Sequence, residues 1–142
     1  MESIIDGIKE YVAGCPLLME IKSKNRHIDW TEEPPDDNYG IMIDGDDLIK
    51  GAMRGGGEYQ YSFALYVRKM AADDFQRLNN MRFMEKLKEW CRNQSRMRKF
   101  PELPDGCQAL KFTAEKDMLL EISPLKKSGT YQIQFKLNYY RK

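Results

Sequence analysis

From Glu58 to Lys69 apolar and polar positions alternate. Tyr59, Tyr61, Phe63, Leu65 and Val67 interleave with Gln60, Ser62, Ala64, Tyr66 and Arg68. A period of two is that of a half-buried strand, because successive side chains point to opposite faces. Thr130–Tyr140 repeats the pattern, with Tyr131, Ile133, Phe135, Leu137 and Tyr139 on one side and Gln132, Gln134, Lys136 and Asn138 on the other. Burying five such side chains offers about 1.5–3 kcal/mol each before entropy is subtracted, which predicts a central strand.

Two segments carry helical spacing instead. Ile4, Ile5, Ile8, Tyr11 and Val12 form one face of a short helix, with Ser3 as N-cap, Asp6 at the positive end, and Gly14 followed by Pro16 as the stop. Phe75, Leu78, Met81, Phe83, Met84, Leu87, Trp90 and Cys91 recur mostly at gaps of three and four. They predict a helix capped by Asp73 or Asp74, running to about Arg96 and ended by Pro101 and Pro104.

Between these lie shorter extended runs. Leu17–Ile21, His27–Trp30 and Tyr39–Ile43 read as strands, Thr31–Asn38 as a proline-stiffened connection, and Asp44-Gly45-Asp46-Asp47 as a turn. Leu48–Met53 is extended, and Gly55-Gly56-Gly57 reads as a mobile hairpin tip before the next strand. Cys107–Thr113 and Met118–Ser123 precede the final strand. One helix, four strands, a second helix and three strands predict a single α+β domain over residues 1–142, with a mainly antiparallel or mixed sheet and both principal helices packed on one side.

Composition narrows the functional classes. Among 142 residues, 23 Lys and Arg nearly balance 22 Asp and Glu, and a net charge of +1 argues against a generic polyanion binder. Three widely spaced cysteines without a CxxC pair suit reduced thiols. The lone histidine excludes a His-rich metal site, and neither a signal peptide nor a membrane-spanning run is visible. The expectation is a soluble intracellular domain with no cofactor, no metal and no membrane partner.

The charge is nevertheless segregated. Asp29–Asp47 holds eight acidic residues and no basic one, whereas Arg82–Lys99 holds seven basic and two acidic residues. Arg92, Arg96, Arg98 and Lys99 admit three readings, in descending weight. They complement the negative end of their helix, they meet the acidic stretch of a neighbouring subunit, or they touch nucleic-acid phosphates. Asn93-Gln94 interrupt the patch and no aromatics are interleaved for base stacking, so nucleic acid is not the expected partner.

No enzymatic motif is complete. Counted from Asp44, a calcium loop would need ligands at Leu48 and Gly55. The glycines Gly51, Gly55, Gly56 and Gly57 lead into a strand beginning Glu58-Tyr59, not the Gly-Lys-Ser/Thr and helix of a phosphate loop. His27 has no Gly-x-Ser-x-Gly nucleophile, and the residue four beyond it is Thr31, not the Asp of an acetyltransferase His-x-x-x-Asp-Gly. A surface or strand-edge histidine is the preferred reading, and no catalytic residue is assigned.

Taken in order, several segments resemble the tail-terminator (tail-completion) proteins of phages and prophages of Gram-positive bacteria. They are His27-Ile28-Asp29-Trp30, Glu58–Tyr66, Asn79–Trp90, Leu103-Pro104-Asp105-Gly106 and Tyr131–Tyr140. The resemblance implies a small α+β protein of the virion tail, present in the host cytoplasm during assembly. It would form a ring, expected to be a hexamer, that caps the tail tube, ends its polymerisation and provides the surface for a head-completion protein. The implied partners are further copies of the chain, the tail tube protein and the head-completion protein. Candidate subunit or tube contacts are Lys50, Arg54, Gly55, Gly56 and Gly57 at the glycine-rich tip, Arg92, Arg96, Arg98 and Lys99 at the helix end, and Asp44, Asp46 and Asp47 in the acidic stretch. The alternatives are a head–tail connector or neck protein and, ranked behind it, a nucleic-acid-binding accessory protein.

Overall fold

In a computed structural model, which describes residues 3–32, 37–51, 55–123 and 127–142, the two alternating runs pair with each other. Strand β3 (Gly57–Met70) and strand β5 (Ser128–Arg141) are antiparallel in unbroken register, from Gly57 opposite Arg141 to Met70 opposite Ser128. Their odd-numbered side chains therefore share one face, and these form the core. Strand β2 (Asn38–Gly51) flanks β3, strand β4 (Cys107–Ser123) flanks β5, and both pairings are antiparallel. Strand β1 (Arg26–Ile28) adds to β2 in parallel, giving a mixed five-stranded sheet in the order β1-β2-β3-β5-β4. The expected central strand, β5, is interior.

Helices α1 (Ile4–Ala13) and α2 (Asp74–Arg96) bury Ile4, Ile8 and Val12, and Met84, Leu87 and Cys91, in the same cluster as the odd face of the sheet. The fold is α+β with both helices on one side. Its centre is an aromatic stack across three strands, with Phe135 lying 5.1 Å from Phe63 and 5.3 Å from Phe112 between ring centroids. Tyr11 meets Phe112 edge-on at 5.3 Å and Trp90 at 5.2 Å, joining the two helices over β4. Local chemistry sets the helix starts. The Asp6 carboxylate accepts from the Ser3 backbone and hydroxyl, and the Asp73 carboxylate accepts from the Gln76 N–H at 2.8 Å. Asn80, buried, donates to the Met70 carbonyl and the Tyr131 hydroxyl, which fixes where α2 lands on the sheet.

Four expectations are corrected. Leu17–Ile21 is not a strand but a series of turns, because the Leu18 and Met19 N–H groups both reach back to the Cys15 carbonyl. Asp44–Asp47 is not a turn, since β2 runs through it with Asp44 as an extra residue between Ile43 (opposite Phe63) and Gly45 (opposite Ser62). Cys107–Thr113 and Met118–Ser123 belong to one strand, β4, interrupted by three register shifts. Phe75, Leu78 and Met81 have helical spacing yet are exposed, Phe75 at 73%, because the buried face of α2 runs through Asn80, Met84, Leu87 and Cys91, and Phe75 lies half a turn away from Met84.

Candidate functional site

The bulge at Asp44 decides which way the acidic strand faces. Before it, Tyr39, Ile41 and Ile43 lie opposite inward-facing residues of β3; after it, Asp46 and Leu48 do, opposite Tyr61 and Tyr59. Asp46 thereby reaches the core side, where its carboxylate accepts a hydrogen bond from the buried Tyr139 hydroxyl at 2.7 Å. Burial, reinforced by this bond, pushes the Tyr139 phenol well above its usual range, and burial together with the Asp46 charge pushes Tyr61 up to about 12. Asp46 therefore ties the acidic strand to the sheet. Asp44 and Asp47 are exposed, and neither forms an ion pair among the described residues.

β1 covers only Tyr39–Ile41 of its neighbour, with the Asp29 N–H closing the ladder on the Ile41 carbonyl. From Met42 to Gly51 the outer edge of β2 has no strand beside it among the described residues. Ile43, Leu48 and Ile49 are exposed on this arm, as is Lys50. Gly55 and Gly56 immediately precede β3, which begins at Gly57. These glycines are not merely a loose tip: a Cβ on Gly56 would lie 2.3 Å from the Tyr140 hydroxyl and 3.2 Å from the Arg141 carbonyl oxygen. Arg54 lies outside the described residues.

The basic helix end sits at the opposite margin of the sheet. Ser95 donates to the Phe112 carbonyl of β4, and Tyr11 donates to the Lys99 carbonyl at 2.7 Å, so the residues from Arg96 to Lys99 follow directly beside the β4 edge. Arg92 pairs with Glu89 at 3.7 Å and Arg96 donates to Asn93, both within the helix, while Arg98 lies over the Phe100 ring. Arg92, Arg96, Arg98 and Lys99 are all exposed, and Met97 among them is 52% exposed. The acidic and basic stretches do not meet within one chain. The described acidic residues Asp44–Asp47 lie on β2 beyond the reach of β1, and the basic residues lie at the end of α2 beside β4, a separation that charge counting alone could not locate.

His27 was expected at a surface or strand edge. It is on the edge strand β1, but buried: the Trp30 ring stacks on it at 3.7 Å, and Glu32 lies 3.2 Å from its Nε2. Asp29 takes a left-handed conformation (φ 66°) that folds Trp30 back over the strand. Among the described residues, no group of three or more His, Cys, Asp or Glu side chains is placed to hold a metal ion, and no helix is long and apolar enough to cross a membrane.

The thiols give a direct check on this packing. Cys15 and Cys91 are buried, and burial raises both, Cys91 to about 12, while Cys107 is partly exposed. A soluble disulfide reagent at pH 8 should modify Cys107 alone in the native protein and all three thiols after denaturation. Rapid native labelling of Cys91 would contradict the seating of α2.

No family model matches the chain, and no curated protein matches it. Among solved structures, the chain is similar to one from a structure titled "Virion of native gene transfer agent (GTA) particle". The TM-score is 0.59 at 9% identity, covering 94% of this chain and 91% of that one. At that identity the likeness is one of fold.

Proposed function

We propose that this chain is a structural protein of a phage-like virion that caps the tail tube, ends its polymerisation and presents the surface to which the head is joined. The observation that carries the reading is the fold shared, over nearly the whole chain, with a chain of a gene transfer agent virion. The ordered sequence resemblance to tail-terminator proteins supports the finer role. In this reading the protein acts through its outer faces and carries out no chemistry. Its partners are further copies in a ring, expected as a hexamer, the tail tube protein and a head-completion protein. Its place is the virion tail, after assembly in the bacterial cytoplasm.

Opposite charge on the β2 arm and on the α2 end beside β4 supports a ring, because a head-to-tail contact joins two different surfaces of one subunit. Lys50 and the glycine tip, at the far end of the β2–β3 arm, are the tube-facing candidates. Negative-stain imaging of the protein mixed with purified, growing tail tubes tests the role. Added density at one tube end and arrested growth are expected. Tubes that lengthen unchanged with bare ends would remove the terminator reading, and density on isolated head portals alone would favour a neck protein.

A further inference from the structure

The two margins of the sheet differ in composition in a way that matches. On the β2 margin, exposed Ile43, Leu48 and Ile49 alternate along the strand with exposed Asp44 and Asp47. On the β4 margin Met97 and Leu110 are exposed, as are Arg96, Arg98, Lys99 and Lys111, while the acidic Glu115 and Asp117 farther along β4 are paired with Lys136 and Lys88. Each margin thus combines exposed apolar residues with charged ones, a composition suited to a protein–protein contact, and the charges named are of opposite sign. Pairing β2 with β2 of another copy would set the same acidic groups against each other, which disfavours a two-fold contact.

We propose that the β2 margin from Met42 to Ile49, short of the Lys50 tip, is the docking surface for the β4 margin and basic α2 end of a second copy of this chain. The inference deepens the ring reading by naming the surfaces that build it, but it does not depend on what the ring caps. The contact is made by side chains and not by a ladder running from one sheet into the next. Ser95 already occupies the Phe112 carbonyl, and three register shifts break β4 as a template for strand addition. β2 has its own irregularities at Asp44 and Ile49, which twist the arm without closing its edge. Head-to-tail repetition of this contact yields a closed ring or an open helix, according to the rotation per copy.

A charge-reversal cycle on the full chain tests it. Asp47→Lys and Arg96→Glu both alter exposed side chains that make no contact with the core. Association is read by sedimentation equilibrium at low ionic strength, where such contacts are strongest. Each single reversal should weaken self-association by about tenfold or more, and the double variant should recover most of that loss. An equimolar mixture of the two single variants should also associate, since each supplies the margin that the other lacks. A wild-type chain that stays monomeric at millimolar concentration overturns the proposal, as does tighter association of Asp47→Lys alone, the mark of β2-to-β2 pairing. Association that follows this cycle while tail tubes remain uncapped would leave the interface standing and remove only the tail reading.

Discussion

Replacing Phe135 with Ala should destabilise the protein by about 3–5 kcal/mol, a large part of the stability of an ordinary domain. The ring is 2% exposed, lies on an interior strand, and stacks between Phe63 and Phe112. Its loss would remove aromatic contact with β3 and β4 together. The cavity could not collapse easily, because the register of β5 holds both neighbours at fixed spacing. Equilibrium urea unfolding followed by circular dichroism measures the loss. A cost below about 1 kcal/mol would mean that the three rings do not form the centre of the core.

The second large effect comes from adding a single methyl group. Gly40 sits in β2 where the chain folds back over it, and a Cβ there would lie 2.1 Å from the Trp30 carbonyl oxygen. Backbone cannot rotate aside as a flexible side chain can, so Gly40→Ala should push residues 29–32 off the strand and cost about 1–3 kcal/mol. Displacement of Trp30 also uncovers His27, so the tryptophan emission should shift as the stack is lost. Gly51, with no atom within 4 Å of its would-be Cβ, is the control. Gly51→Ala should be neutral or stabilising by a few tenths of a kcal/mol, through loss of freedom in the unfolded chain. Equal behaviour of the two variants would show that Trp30 does not lie over β2.

The interior of the fold was legible because its strands obey one rule without interruption. Tyr59–Val67 and Tyr131–Tyr139 alternate strictly, and the structure pairs them without a shift. The strands outside that pair, β2 and β4, were misread where bulges occur. One extra residue at Asp44 moves the inward position from odd to even numbers, so a continuous strand looks in sequence like two short ones around a turn. The same irregularity, repeated three times, split β4. Phe75 and Leu78 show another limit: gaps of three and four can be strung across two faces of one helix, and the buried face here includes a polar residue, Asn80, which an apolar pattern passes over. The burial of His27 had no periodic signal, because it depends on a left-handed residue at Asp29 and a ring folded back from Trp30. For the interaction surface, the charged segments were legible, whereas their placement on opposite margins depends on strand order, which no local pattern encodes.

The order β1-β2-β3-β5-β4 also constrains when the molecule can fold. The strand made last, β5, is inserted between two made earlier, and its partners in β3 lie 58 to 84 residues upstream. During synthesis the β2–β3 hairpin and helix α2 must wait with their apolar sides uncovered until residues 128–141 leave the ribosome. Pairing over such distances is slow compared with local contacts. A nascent chain stalled before that point would leave one side of β3 unpaired and β4 with no strand beside it, open to capture by chaperones or by its siblings.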